Sequence, residues 1–366
     1  MQRALKLTST EKPITVETVP IPQAGPGSVV VKVLSAVVIP YSGDVLSGKR
    51  GYPLPLPFTP GLQAICRVTE AGPDATTLAP GQLVLFDATI RGRDDPDVIF
   101  VSGMLEGFTE AARKLSRNEW RDSTYAEYAK LPLENCLPLN EQRLEALGYT
   151  ADDLLHLTAM LVPMGGLSDL GLRAGETIVI APATGRYGSA AVHVALAMGA
   201  RVIAMGRNEE SLAKLQALDE KRVAIVRISN DAERDTQALV SKAGGKLDAF
   251  LDVSSPMAAG STHFISCINA LKFGARVSLM GGVQDGLSLP YGAIIFGGLQ
   301  VKGTWMSTRD QALTLIRMVE TGVLPLGESR GLRLAGKFGL NEWEKAFEVA
   351  AKSAGPGETV ALAPAL

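Results

Sequence analysis

The sequence predicts an α/β chain with two parts: a β-rich part at the two ends and a doubly wound parallel sheet between them. Three observations lead there. The first third is a series of short β-branched runs punctuated by Pro and Gly. From Gly175 onward, apolar runs alternate with helix-patterned segments. The first of those runs, Thr177–Ala181, passes through a turn of small residues straight into a helix. Strands that alternate with helices imply βαβ units and a parallel sheet.

The 366 residues suit two domains, each able to bury its own core. A hydrophobic content of 46% and a charged content of 20% fit a globular protein and exclude a disordered one. A net charge of −2 offers no electrostatic footprint for nucleic acid, which needs clustered Lys and Arg. Cys66, Cys136 and Cys267 lie far apart in the chain and form no Cys-x-x-Cys, so they cannot assemble a structural zinc lobe. They are expected to be small buried apolar residues. The opening MQRALKLTSTEKP has neither a long apolar core nor a small-residue cleavage site, so no signal peptide is expected. No run of about 18 or more residues has membrane-like hydropathy. The expectation is a cytoplasmic protein with no membrane partner and a small-molecule substrate.

In chain order, strands are expected at Leu5–Leu7, Ile14–Val19, Val29–Leu34, Ala64–Glu70 and Leu83–Phe86. PQAGPGS, LPLPFTPG, AGPD and LAPGQ separate them, as in a Greek-key or barrel-like domain. Residues 103–121 break that style and read as a helical insertion with a mixed polar face, within a longer insertion over 88–121. Asp152–Leu172 is helical in pattern. Then come strand Thr177–Ala181, helix Ser189–Met198, strand Val202–Met205 and helix Glu209–Ala217. Further strands are expected at Ala224–Ile228, Ala249–Val253, Val277–Met280 and Leu299–Gly303. They are continuous apolar runs, as when both faces are covered. Helices at Thr308–Thr321 and Glu342–Lys352 and a strand at Thr359–Leu362 are read as a return to the β-rich part. The expected boundaries are therefore 1–150, 151–305 and 306–366.

The turn Ala183-Thr184-Gly185-Arg186-Tyr187-Gly188 has G-x-G-x-x-G spacing with Ala first. Ala183 allows the tight turn. Gly185 removes a side chain where backbone must approach a pyrophosphate, and Gly188 lets the helix lie close on the strand. The helix N-terminus then offers N–H groups and its positive dipole end to phosphates. The pattern follows a strand and opens a helix inside a βαβ unit, the context that makes it informative. The residue ending the second strand separates the two pyridine dinucleotides. A carboxylate there would bind both ribose hydroxyls of NAD. Here the position is Gly206, 23 residues after Ala183, followed by Arg207 and Asn208. No carboxylate repels a 2′-phosphate, and Arg207 can bond it, with Asn208 and Lys214 as secondary candidates. The cofactor expected is NADP.

With PGSVVVKV, GYPLPLPFTPG, STYAEYAKLP, GETIVIAPATGRYGSAAV, LDAFLDVSS, ARVSLMGG and LQVKGTWM in this order, the chain resembles the medium-chain dehydrogenase/reductase superfamily over its whole length. The resemblance is nearest the zinc-free quinone-oxidoreductase-like and enoyl-reductase-like branches. It implies a split GroES-like catalytic domain, a Rossmann domain between its halves, and a homodimer, with the Leu299–Gly303 region as the dimer edge. Zinc-dependent relatives carry a Cys in the loop after the third strand and a Gly-His-Glu further on. Here Tyr41 stands at the Cys position, and Gly61-Leu62-Gln63 replaces Gly-His-Glu. A catalytic zinc is not expected.

A metal-free site must stabilise or protonate a developing enolate or alkoxide with its own groups. Tyr41 and Tyr52 are the candidates, Tyr52 because an enoyl-reductase-like tyrosine stands in a similar Gly-x-Tyr-Pro-like context. Ser42 and Asp44 are weaker ones, and Asp44 is equally read as a helix cap. Tyr187 is expected over the cofactor or between the domains. Ser254, Gly281 and Gly282, at strand ends, are expected beside the nicotinamide. His156, His193 and His263 have no acid or cysteine at useful spacing and read as structural. No Gly-x-Ser-x-Gly elbow supports a hydrolase. Three functions remain open: an NADPH-dependent reductase of activated double bonds or quinones, a metal-free carbonyl reductase or alcohol dehydrogenase, and a catalytically silent NADPH-binding protein.

Overall fold

The computed structural model describes residues 1–258, 260–283 and 288–366, and of Met257 the backbone only. The chain divides into two compact units. One comprises Met1–Thr158, Arg333–Ala354 and Glu358–Leu366; the other comprises Ala159–Leu332 and Gly355–Gly357. The expected boundaries at 150 and 305 are thus displaced. The helix Arg309–Glu320 belongs with the parallel-sheet unit and does not return to the β-rich one. Its cap explains the assignment. Thr308 and Gln311 form a capping box, and Gln311 Nε2 also donates to Asp169 Oδ1 at 3.2 Å, at the end of helix Leu157–Asp169. The apolar stripe Ala312, Leu315, Ile316, Val319 says that this helix packs, but not on what.

In the β-rich unit Ser28–Val38 is the central strand, buried along nearly all its length because β-branched residues cover both faces. It is longer than expected. It pairs with Ala64–Ala71, with Tyr128–Pro132 (Val31 opposite Ala129) and, at its far end, with Glu358–Leu362 (Val37 opposite Ala361). Register shifts between Val30 and Val31 and between Val33 and Ser35 bend it. Leu83–Phe86 and Cys136–Pro138 extend the sheet on one side, Arg333–Phe338 on the other. Gln2–Lys6 and Thr15–Val19 form a separate antiparallel pair. The insertion is helical only over Glu110–Asn118. A hairpin of Thr89–Arg91 and Ile99–Val101 precedes it. It has its own small core of Ile90, Val98, Phe100 and Ala112, with Leu115 and Trp120 against it.

The other unit is a parallel six-stranded sheet. Its spatial order is Val223–Arg227, Arg201–Gly206, Thr177–Ala181, Leu247–Asp252, Leu271–Leu279, Gln300–Gly303. The chain builds outward through three strands, returns to the middle, and builds outward the other way. The order reverses between Thr177–Ala181 and Leu247–Asp252, where open α/β sheets have their crevice. Val179, Ile203, Met205, Phe250, Phe264 and Val277 form the core beneath that point. Among the described residues no helix is long and apolar enough to cross a membrane.

One buried carboxylate in the β-rich unit makes its stability depend on pH. Asp87 follows strand Leu83–Phe86. Thr89 N donates to its Oδ1 at 3.0 Å, and Asn135 Nδ2 donates to its backbone oxygen at 2.7 Å. Burial pushes its carboxyl up to about 6, against the pull of the Thr89 hydrogen bonds and the charge of Arg91. The folded-state value lies above the unfolded one. The associated stabilisation is therefore full at acid pH and is lost as pH rises through about 6, a loss on the order of 3 kcal/mol. Asp87→Asn keeps the accepting oxygen and removes the ionisation. The melting temperature of the variant should gain on that of the parent as pH rises from about 4 to 8. A constant difference across that range would show that the carboxyl does not titrate in the folded state.

Candidate active site

At the carboxyl edge of the parallel sheet, strand Thr177–Ala181 leads through Pro182 into the small-residue turn. Ala183 is fully buried, and its N–H donates to Met205 O at 2.7 Å, which ties the turn to the second strand. The helix begins at Arg186, three residues earlier than the sequence suggests, and runs to Ala197. Its two glycines do different things. A Cβ on Gly188 would fall inside the contact radius of Pro182 O and lie 2.8 Å from Ala183 Cα, so helix and turn can touch only there. A Cβ on Gly185 would meet nothing within 4 Å; Gly185 is exposed at the N-cap, and no side chain caps the helix. The result is a bare helix N-terminus facing open space, the shape and polarity that a diphosphate requires. Arg186 is buried, whereas Thr184 and Tyr187 are half-buried.

The second strand ends on Gly206, where a Cβ would lie 2.7 Å from Thr184 Cγ2 and 3.1 Å from its Oγ1. The place of an NAD-type carboxylate is thus filled by a neighbouring threonine. Arg207 is exposed. The secondary candidates are engaged elsewhere. Asn208 caps helix Glu209–Gln216 by accepting from Ser211 N at 2.8 Å, and Lys214 pairs with Glu210 at 2.8 Å. Sequence reading missed Arg227. Sheet register sets it directly beside Gly206, and its Nη1 lies 2.9 Å from Glu209 Oε1. Two guanidinium groups therefore belong to adjacent strand ends. The only sequence signal was an arginine closing the third strand of the unit.

Ser254, Gly281 and Gly282 do come together. Gly282 N donates to Ser254 O at 2.7 Å, and Met280 N to Asp252 O at 2.9 Å. The reading of His263 as lacking an acid needs correction. Its Nε2 is 2.9 Å from Ser254 Oγ, which donates to Asp252 Oδ1 at 2.5 Å. The three residues sit on a strand end, a loop and a helix start, so no sequence spacing reveals them. His193 is buried in the helix of the turn. Desolvation first, then the charge of Arg330, hold its imidazole down at about 4, so it stays neutral at physiological pH. His156 Nδ1 lies 3.2 Å from Thr359 Oγ1.

In the β-rich unit the loop after Ser28–Val38 carries both tyrosines. Tyr41 precedes the one-turn helix Ser42–Leu46, and the Arg50 guanidinium stacks 4.2 Å from its ring centre. Ser42 Oγ accepts from Ile39 N. Asp44 is inside that helix and makes no cap, which corrects the capping reading. Tyr52 is half-buried and follows Gly51, whose φ of 64° favours glycine. The insertion reaches this loop, since Glu106 N donates to Pro53 O at 3.0 Å. Glu106 is itself buried and holds Arg117 through two bonds of 2.6 and 2.7 Å.

Tyr41, Leu62 and Gln63 offer no thiolate, imidazole or carboxylate. Leu62 is buried and apolar, with its carbonyl bonded by Thr124 Oγ1 at 2.7 Å. The Gln63 carbonyl accepts from Val37 N. Among the described residues no group of three His, Cys, Asp or Glu could hold a metal ion. All three cysteines are buried, and burial pushes the Cys66 thiol up, away from the thiolate a metal needs.

Comparison with known proteins covers most of the chain. Residues 25–141 match the alcohol dehydrogenase GroES-like domain, and residues 188–321 match the zinc-binding dehydrogenase family. An L-threonine 3-dehydrogenase of Mesorhizobium japonicum is 24% identical over 374 aligned positions, 98% of each chain. Among solved structures, a short chain alcohol dehydrogenase from E. coli complexed with NADH superposes with a TM-score of 0.78 at 15% identity, covering 99% of each chain. A zinc-binding dehydrogenase from Sinorhizobium meliloti bound to NADP gives 0.75 at 20% identity, covering 100% of this chain and 99% of the other. At these identities the structures establish the fold: a GroES-like domain and a Rossmann-like parallel sheet.

The unequal crowding at the two glycines makes a direct prediction. Gly188→Ala should lower stability by about 1–3 kcal/mol, because the added carbon has no room. Gly185→Ala should stay within about 0.5 kcal/mol of the parent. Thermal or denaturant unfolding measures both, and equal values would contradict the close approach at Gly188.

Proposed function

Because the chain belongs to the medium-chain dehydrogenase/reductase superfamily, we propose that it is a zinc-independent, NADPH-dependent oxidoreductase that passes hydride to an activated carbon–carbon double bond or a quinone. The observation that carries this reading is the donor set. Tyr41, Leu62 and Gln63 occupy the positions where zinc-dependent relatives hold their metal, and none offers a thiolate, imidazole or carboxylate. Without a Lewis acid, an acceptor that delocalises its negative charge is the one a protein site can reduce readily. The same residues leave a second reading, a metal-free carbonyl reductase or alcohol dehydrogenase. The name of the Mesorhizobium relative favours it.

The chain's groups divide the work as follows. The N–H groups at the helix N-terminus, from Gly185 to Gly188, receive the diphosphate, with Thr184 and Tyr187 beside it, and the Ala183 N–H, bonded to Met205 O, anchors the turn, where Arg186 is buried. Arg207 and Arg227 bracket the 2′-phosphate, and Asn208 and Lys214 border it. Ser254, Gly281 and Gly282 flank the nicotinamide ring. NADPH, when bound, supplies the hydride. Tyr52 donates a hydrogen bond to the oxyanion that develops on the acceptor, with Tyr41 as the second hydroxyl.

A homodimer is part of this reading. Among the described residues Gln300–Gly303 is an edge strand with one side unpaired in the sheet. Beside it the helix Tyr291–Phe296 buries none of its residues; Tyr291 and Phe296 are 77% and 85% exposed, and Phe273 is 78% exposed. An exposed edge framed by aromatic residues is unstable in water unless covered. A second copy presents the same edge and closes the sheet about a two-fold axis. Phe296→Asp should convert the dimer to a folded monomer by light scattering; a monomeric parent would remove this part of the reading.

Two measurements test the function. Purified protein should oxidise NADPH with enones or quinones. With an enone that carries both reducible groups, the saturated ketone should form; the allylic alcohol would favour the second reading. Arg207→Ala should lower the preference for NADPH over NADH roughly ten- to hundredfold, the worth of a charge-assisted bond. An unchanged ratio would show that Arg207 does not meet the 2′-phosphate.

A further inference from the structure

Helix Glu110–Asn118 of the insertion has one face accounted for. Ala112 and Leu115 pack into the small core with Ile90, Val98 and Phe100. Its charged residues line an open cavity of about 660 Å³ that Pro53 also borders. The volume suits a small molecule, but the lining is ionic rather than apolar. Three cations line it, Arg113, Lys114 and Arg117, with Glu106 and Glu110 as the carboxylates. Like charges three and four residues apart on a helix repel. A helix C-terminus favours a cation in its last turn, which accounts for Arg117 and not for the other two.

Arg117 is fixed from the inside. Glu106 is 3% exposed, and its two oxygens accept from Arg117 Nε at 2.6 Å and Nη2 at 2.7 Å. The remaining N–H groups of that guanidinium bond nothing in the protein among the described residues. Arg113 Nε lies 3.8 Å from Glu106, too far for a hydrogen bond. Lys114 has no partner among the described residues. The same i,i+4 spacing joins Glu210 to Lys214 at 2.8 Å and Glu348 to Lys352 at 2.6 Å, yet Glu110 and Lys114 stay apart. The adjoining depression shares Arg117 and Asn118 but differs in this respect: Lys6, Arg121 and Lys130 each have a carboxylate within 4 Å there.

We propose that this cavity binds the carboxylate of a small organic acid, with Arg113 and Arg117 bonding its oxygens and Lys114 adding charge. Three cations against two carboxylates leave one positive charge unmet, which a single carboxylate neutralises. A guanidinium already held by a buried carboxylate gives up little side-chain freedom when it takes a second one. Two sources share this chemistry. One is the acceptor itself, because Pro53 follows Tyr52 and its carbonyl accepts from Glu106 N at 3.0 Å. The other is a free carboxylate. The acceptor arm rests on the functional reading above; the site does not.

The first test needs neither cofactor nor acceptor. In the free protein at constant ionic strength, sodium butyrate should shift the Nε–Hε signals of Arg113 and Arg117 saturably, with a Kd of roughly millimolar or tighter. Uncharged butyramide should not. Lys114→Ala and Arg113→Gln, at exposed positions, should each weaken binding about two- to fivefold, and Glu110→Gln should tighten it by a similar factor. No saturable shift, an equal response to butyramide, or an affinity indifferent to Lys114 and Glu110 overturns the site. Tighter binding of inorganic phosphate than of butyrate overturns the carboxylate class. In turnover, an enone acid with a KM about fivefold below that of its methyl ester, a gap that Lys114→Ala closes, assigns the carboxylate to the acceptor. Equal KM values with butyrate binding intact assign it to a free acid. A protein that binds butyrate through Lys114 but reduces no acceptor keeps the site and loses the functional reading.

Discussion

The fold of the dinucleotide-type unit depends on one close approach. Helix Arg186–Ala197 lies against the turn at Gly188, with backbone almost touching backbone. Everything near it follows. The helix can start at once after the strand, so its N-terminus lands at the point where strand order reverses. The turn's N–H at Ala183 can reach Met205 O, which fixes the second strand against the first. That in turn puts Thr184 over Gly206. A side chain at Gly188 would push the helix away, and the small-residue turn would lose its anchoring along with its open face.

Much of this was legible because it is local. A strand, a turn and a helix that follow one another in sequence leave their marks within thirty or so residues, and the strands from Thr177 to Gly303 lie within two residues of the expected ends, except Leu271–Leu279, which starts six residues before the expected Val277. Four other features were not legible, each for a physical reason. Tyr128–Pro132 and Cys136–Pro138 are short, with proline at their ends, and gain their identity only from the strands beside them. The assignment of Arg309–Glu320 turns on its bond to Asp169, 142 residues away. Arg227 joins the neighbourhood of Gly206 through sheet register. The Asp252–Ser254–His263 line is assembled from three elements of the same unit, so no pattern along the chain announces it.

In the β-rich unit the segment Gly61–Gln63 is held by packing and backbone hydrogen bonds. Leu62 and Gln63 have their backbone carbonyls bonded by Thr124 and Val37, so the segment is clamped by hydrogen bonds. Gly61 packs so tightly that a Cβ would sit 2.5 Å from Thr124 N. The insertion is held the same way, by a small apolar core and the buried Glu106 with its arginine.

The central strand Ser28–Val38 also has a consequence for biosynthesis. One of its partners, Glu358–Leu362, is translated more than 300 residues later. At ribosomal speeds of about 5–20 residues per second, that strand waits tens of seconds for its neighbour. The parallel sheet from Thr177 to Gly303, by contrast, emerges as one uninterrupted stretch and can fold while the first strands are still incomplete. In the cell, the waiting edge at Val37 and Val38 is the surface that a chaperone would have most reason to shield.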